Sequence, residues 1–186
     1  MKRWAIPTIA CAFMLFGSAA SSSAQVRRVE MRLTRYLCNS CATSIGKAVS
    51  RLEFAPPLNE IRITDVQRGI GVFVPKPDET AAYAPLRAAV KKAGYTLYSA
   101  EITVEGTVVR DAAGWSVTAS GSGQRFALEG REVNSLLGVV SSGALVEIKG
   151  DWKSGGKGNT AREMITPESV KPLPVTRKPT VLHTPA

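Results

Sequence analysis

The chain has 186 residues, 44% of them hydrophobic, and carries 24 basic against 15 acidic side chains for a formal net charge of +9. Its basic residues are scattered, as at Arg27, Arg32, Lys91, Lys149 and Lys157, not clustered on one face with interleaved aromatics, which argues for a solvated basic surface and against a nucleic-acid interface. A lone histidine, His183, leaves no histidine-based catalytic machinery, and the length suits one ordinary domain or two small ones.

The first residues read as an export signal. Lys2 and Arg3 give a basic start, Trp4 to Gly17 is largely apolar, and Ser22 and Ala24 are the small residues a signal peptidase needs, so residues 1–24 are expected to be removed. The apolar run is too short for a comfortable membrane span, and no second stretch reaches that length. A periplasmic or secreted location follows as an expectation. It would place the chain in an oxidising compartment, with Cys38 and Cys41 as the cysteines left after Cys11 departs with the signal.

Val29, Met31 and Leu33 alternate with polar residues and predict a half-buried strand. Ile45, Val49 and Leu52 fall at helical spacing, with Asn39 or Ser40 placed to cap the helix start and Pro56-Pro57 to stop it. Ile61 and Ile63 mark a second strand, Arg68-Gly69 a turn, and Ile70, Val72 and Val74 a third strand. Tyr83, Leu86, Val90 and Ala93 recur at helical spacing, with Asp78 ahead as a capping residue, Pro85 near the start and Gly94 at the left-handed end position. Tyr95 to Val104 is a fourth strand with room to run on. The order strand, helix, strand, strand, helix, strand predicts a ferredoxin-like βαββαβ domain over residues 26–100.

From about residue 101 short strand-like runs follow, at Ile102 to Val108, Trp115 to Val117 and Phe126 to Leu128, punctuated by Gly106, Gly114, Gly121 and Gly123. Arg131 to Val140 reads as a short helix. Leu145 to Trp152 and Ala161 to Val170 read as two further strands around the glycine-rich turn Gly155-Gly156-Lys157-Gly158. Three strands, a helix and two strands predict a small OB-like barrel over 101–171, with Trp115 and Trp152 in its core or rim. Residues 172–186, with Pro172, Pro174, Pro179 and Pro185, read as a disordered tail that carries His183 as a solvated side chain.

Leu37-Cys38-Asn39-Ser40-Cys41, the helix after it, and Ala89-Val90-Lys91-Lys92-Ala93-Gly94-Tyr95 together resemble the heavy-metal-associated domain family over about residues 26–104. That family includes copper chaperones and periplasmic mercuric-ion carriers. The resemblance implies a ferredoxin-like fold with a metal-binding CxxC pair, Cys38 and Cys41, at the first strand-to-helix corner. Arg35, Tyr36 and Leu37 stand where the family usually has Gly-Met-Thr or Gly-Met-His, so Tyr36 either replaces the methionine beneath the loop or leaves the loop differently shaped.

Two thiolates at this spacing, near a helix N-terminus that favours their ionisation, suit soft ions that accept near-linear coordination, chiefly Cu(I) and Hg(II). Zn(II) asks for four ligands, which one chain with a single CxxC does not supply. Ala42 stands where a c-type haem motif requires histidine. Thioredoxin-like exchange usually has an aromatic residue before the first cysteine, and here that residue is Leu37. Glu101 with Glu105, and Asp65 with Glu60, are read as surface acids and not as a catalytic pair. The expectation is an exported, non-enzymatic carrier or chaperone of Cu(I) or Hg(II), with a protein partner in the envelope. The alternatives are a non-catalytic adaptor whose cysteines form a structural disulfide, and a thiol–disulfide exchange protein.

Overall fold

The computed structural model describes residues 25–34, 37–155 and 162–174. The expected export signal, Tyr36, the turn at 156–158, most of the tail and His183 lie outside them. The first strand, β1 (Val26–Leu33), runs into α1 (Asn39–Val49), and a 3-10 turn (Leu58–Glu60) then leads to β2 (Arg62–Asp65) and β3 (Ile70–Phe73). After α2 (Tyr83–Lys92) comes the long β4 (Leu97–Asp111), then β5 (Gly114–Ala119), β6 (Arg125–Leu128), the short α3 (Val133–Leu137), β7 (Leu145–Gly155) and β8 (Arg162–Pro172).

All eight strands belong to one sheet in the order β2-β3-β1-β4-β5-β6-β8-β7, and β7 pairs back onto β4. Five strands, β4 to β8, therefore close into a barrel, and the other three extend it along the first half of β4. This corrects the expected arrangement of a ferredoxin-like βαββαβ domain followed by a small OB-like barrel. The chain is mostly β, with few helices and a sheet that is continuous through β4. The OB-like expectation fits the barrel in part: five strands, with α3 between β6 and β7 and a parallel β6–β8 pair.

The physical reason lies in β4. Its buried positions alternate without a break through Ala100, Ile102, Val104, Gly106 and Val108, so nothing in its pattern ends it at residue 100. One edge pairs with β1 from Leu97 to Val104 and with β5 from Gly106 to Asp111, while the other edge pairs with β7 from Ala100 to Thr107. Gly106 sits at the hand-over from β1 to β5. A Cβ there would lie 2.3 Å from the Thr118 carbonyl oxygen, so no side chain fits where β5 comes in.

A single hydrophobic cluster joins the two parts. It includes Val29, Ile45, Val49, Leu86 and Val90 around the helices and Val117, Phe126, Leu137, Trp152 and Ile165 in the barrel. The helices supply apolar stripes: Ile45 and Val49 on α1, Leu86 and Val90 on α2. α2 packs against β4 and β7, and α1 packs against α2 and β2. α1 and α3 are shorter than their periodicity suggests. α1 ends at Val49 with Ser50 closing it, where the apolar spacing ran on to Leu52, and α3 keeps five of the ten residues expected.

Candidate functional site

The Cys38–Cys41 corner is held by the end of β1. Leu33 N–H donates to Gly69 O at 2.7 Å, Thr34 N–H to Thr96 O at 3.0 Å and Leu37 N–H to Val66 O at 2.9 Å. Leu37 is buried. These bonds fix the chain on either side of residues 35–36 and aim Cys38 at the start of α1. Cys38 is itself the N-cap, with extended backbone (φ −82°, ψ 163°), which corrects the expectation that Asn39 or Ser40 caps the helix. Its sulfur accepts from the Cys41 N–H at 3.1 Å, and its carbonyl accepts from the Ala42 N–H at 3.0 Å.

Cys38 and Cys41 are joined as a disulfide, with Cα atoms 4.9 Å apart. The Ser40 hydroxyl donates to Cys38 Sγ at 3.0 Å. Cys38 is exposed, while Cys41 is half-buried and packs against the hydrophobic core. The first turn of α1 holds no acidic residue, so nothing there offsets the positive end of the helix dipole. Among the described residues no group of three or more His, Cys, Asp or Glu side chains converges. The two sulfurs are thus the donor set this corner offers a soft ion. The Cys41 N–H and the Ser40 hydroxyl are both directed at the Cys38 sulfur.

Three of the four expected surface acids, Glu105, Glu101 and Asp65, are paired with cations, Asp65 with the Arg68 guanidinium at 3.7 Å, and Glu60 makes no ion pair among the described residues. Glu105 accepts from Arg27 at 2.7 Å, Glu101 pairs with Lys149 at 2.9 Å, and Asp65 accepts from the Arg68 backbone N–H at 2.9 Å. Burial and the neighbouring Glu101 push the Glu168 carboxyl up, and the hydrogen bond to Glu101 pushes the Lys149 ammonium up. Trp152 is barrel core. Trp115 is half-buried beneath the Arg110 guanidinium, 5.5 Å from its ring centre.

The sequence reading missed a second polar cluster, centred on Glu163 of β8. Its carboxylate accepts from Trp152 Nε1 and Ser154 Oγ, each at 2.6 Å, and from the Tyr83 N–H at 3.3 and 3.4 Å. The Tyr83 ring meets Trp152 edge-on at 5.6 Å. Burial pushes the Glu163 carboxyl up, against the lowering by its three donors. Nearby, Gln124 brackets Ala81: its Nε2 donates to Ala81 O at 2.5 Å and its Oε1 accepts from Ala81 N–H at 2.8 Å. Asp78, the expected cap of the second helix, has no such role. The N-cap is Ala82, which has no capping side chain, and Glu163 of β8, paired beside the β7 strand that α2 packs on, supplies the anion. The local signal was a glutamate two residues before the buried Ile165 on a predicted strand. Nothing in the sequence ties it to Tyr83.

In comparisons with protein-family models, curated proteins and solved structures, nothing matches this chain.

Proposed function

We propose that Cys38 and Cys41 form a reducible dithiol that carries a soft metal ion, Cu(I) or Hg(II), as cargo in an exported, non-enzymatic protein. The observation that carries this reading is the convergence of two donors, the Cys41 N–H and the Ser40 hydroxyl, on the exposed Cys38 sulfur at an acid-free helix N-terminus. Such a sulfur is a thiolate at neutral pH more readily than a free cysteine, and a thiolate is what a soft ion binds. A kinship with heavy-metal-associated domains is part of the proposal. It rests on the CxxC pair and on Gly94-Tyr95.

The disulfide must open first. Two electrons and two protons from a dithiol reductant break the S–S bond and leave two thiols. Binding then releases any proton that either sulfur still holds, and the ion is held by both sulfurs with no change in its own oxidation state. A disulfide at this corner therefore acts as an off state for cargo. The test is to reduce the protein, add Cu(I) or Hg(II) anaerobically, and count ions bound per chain with and without Cys38→Ser. One tightly held ion, lost with Cys38→Ser, supports the reading. Binding that ignores the substitution overturns it.

The closed disulfide favours a second reading, in which the pair is a permanent staple in an envelope adaptor. A thiol count on protein taken from the export compartment separates the two. A bond that resists a dithiol reductant supports the staple.

A further inference from the structure

The outward faces of α1 and α2 meet in a groove of about 610 Å³ that neither the cysteine corner nor the barrel uses. Its floor is apolar and shallow: Ala48 and Leu52 from the α1 side, Pro85, Ala88 and Ala89 from α2. Its rim is basic, with Lys47 from the last turn of α1, Arg51 from the turn just after it and Lys92 from the end of α2. No acidic side chain lines the groove, and none of these three cations makes an ion pair among the described residues.

We propose that this groove docks an acidic amphipathic helix of a partner protein. Small side chains on the floor let a helix approach closely, apolar anchors at i, i+3, i+4 and i+7 fill the trough, and flanking carboxylates meet the rim. Charge decides against a second copy of this chain seated groove to groove, because Lys47, Arg51 and Lys92 would then face their own counterparts. Shape decides against a lipid surface. The apolar residues are small alanines, of which Ala48 and Ala89 are half-buried and Ala88 exposed, an exposed proline and a half-buried leucine, whereas a membrane-seated helix projects large apolar side chains into the acyl layer.

The full chain is titrated with a designed helical peptide bearing leucines at those spacings and glutamates beside them, while backbone amide NMR shifts are followed. Two counter-probes are the same peptide with lysine in place of glutamate, and vesicles of phosphatidylcholine with phosphatidylglycerol. Saturable shifts centred on Ala48, Ala88 and Ala89 are expected. Reversing all three cations (Lys47→Glu, Arg51→Glu, Lys92→Glu) should weaken binding about tenfold or more and transfer preference to the lysine peptide. Ala88→Trp, which fills the trough and leaves every charge in place, should weaken it as well and guards against a folding defect in the triple variant. Shifts that do not saturate, equal binding of the lysine peptide, or vesicle binding that the acidic peptide does not displace would overturn the proposal.

Discussion

At the Cys38–Cys41 corner the donors to sulfur lie two and three residues away in sequence, and the Cys38 sulfur belongs to an exposed residue. At Glu163 the donors come from 9, 11 and 80 residues away and meet over a fully buried tryptophan. The first site is held by local contacts, so a change there need disturb little of the fold. The second cannot lose Glu163 without stranding the buried Trp152 donor. Adaptable chemistry thus sits on a locally closed loop, and stability sits where α2 is tied to the barrel.

The sharpest way to break that contrast is Glu163→Ala. It leaves the buried Trp152 Nε1 without its acceptor and removes the anion at the start of α2. A cost of about 2–4 kcal/mol is expected, read as a lower midpoint in urea unfolding. Metal stoichiometry at Cys38 and Cys41 should stay unchanged below the transition. If stability barely moves, the junction is not what joins helix to barrel.

The same residue sets a pH dependence of definite sign. Burial raises the Glu163 carboxyl in the folded state, so the folded protein holds this proton more tightly than the unfolded chain. Its contribution to stability is therefore greatest below the ordinary glutamate value and falls as pH rises through the window up to the raised value. Asp111, held low by its hydrogen bond to Arg125, works in the opposite sense and loses its contribution as pH falls. The difference between the wild-type and Glu163→Gln stability curves isolates the Glu163 part. It should slope across that window and run flat above it. A flat difference throughout would mean that the carboxylate stays hydrated.

Where the sequence could be read, short-range physics decided the outcome. Alternation found β1, helical spacing found α1 and α2, and two cysteines three apart marked the corner. Long-range pairing was not legible. Nothing in Leu97 to Asp111 says that one edge will serve two different strands, so a chain that runs through β4 was read as two separate units. Helix starts were misplaced for a related reason. Asn39 and Asp78 are good caps by composition, yet the caps used are a sulfur at Cys38 and a carboxylate 80 residues beyond Tyr83. Glu163 itself looks like any polar residue on a strand until Trp152, Ser154 and Tyr83 are brought around it.

A milder disturbance is to remove the disulfide. It closes a loop of sequence separation 3, so it restricts the unfolded chain little, and its loss should cost no more than about 2 kcal/mol. Thermal unfolding with and without a dithiol reductant measures this directly. Because the corner and the Glu163 junction share no partner, the costs of reduction and of Glu163→Ala should add. Clear non-additivity would show that the two regions are coupled, and that opening the disulfide is felt at the barrel.

The smallest effect separates the helix cap from the disulfide. Cys38→Ser with Cys41→Ser, and Cys38→Ala with Cys41→Ser, both abolish the S–S bond. They differ in whether residue 38 still offers an acceptor to the residue 41 N–H. The serine pair should be more stable by about 1 kcal/mol, the usual worth of an N-cap side chain, with little change in the shape of the unfolding curve. If the two pairs are equally stable, the helix start has moved by a residue and Asn39 or Ser40 has taken over the cap, as their composition favours. The reduced corner would then not hold the Cys38 sulfur against the helix N-terminus. The argument for a thiolate there would fall with the cap, while the Glu163 junction would stand unchanged.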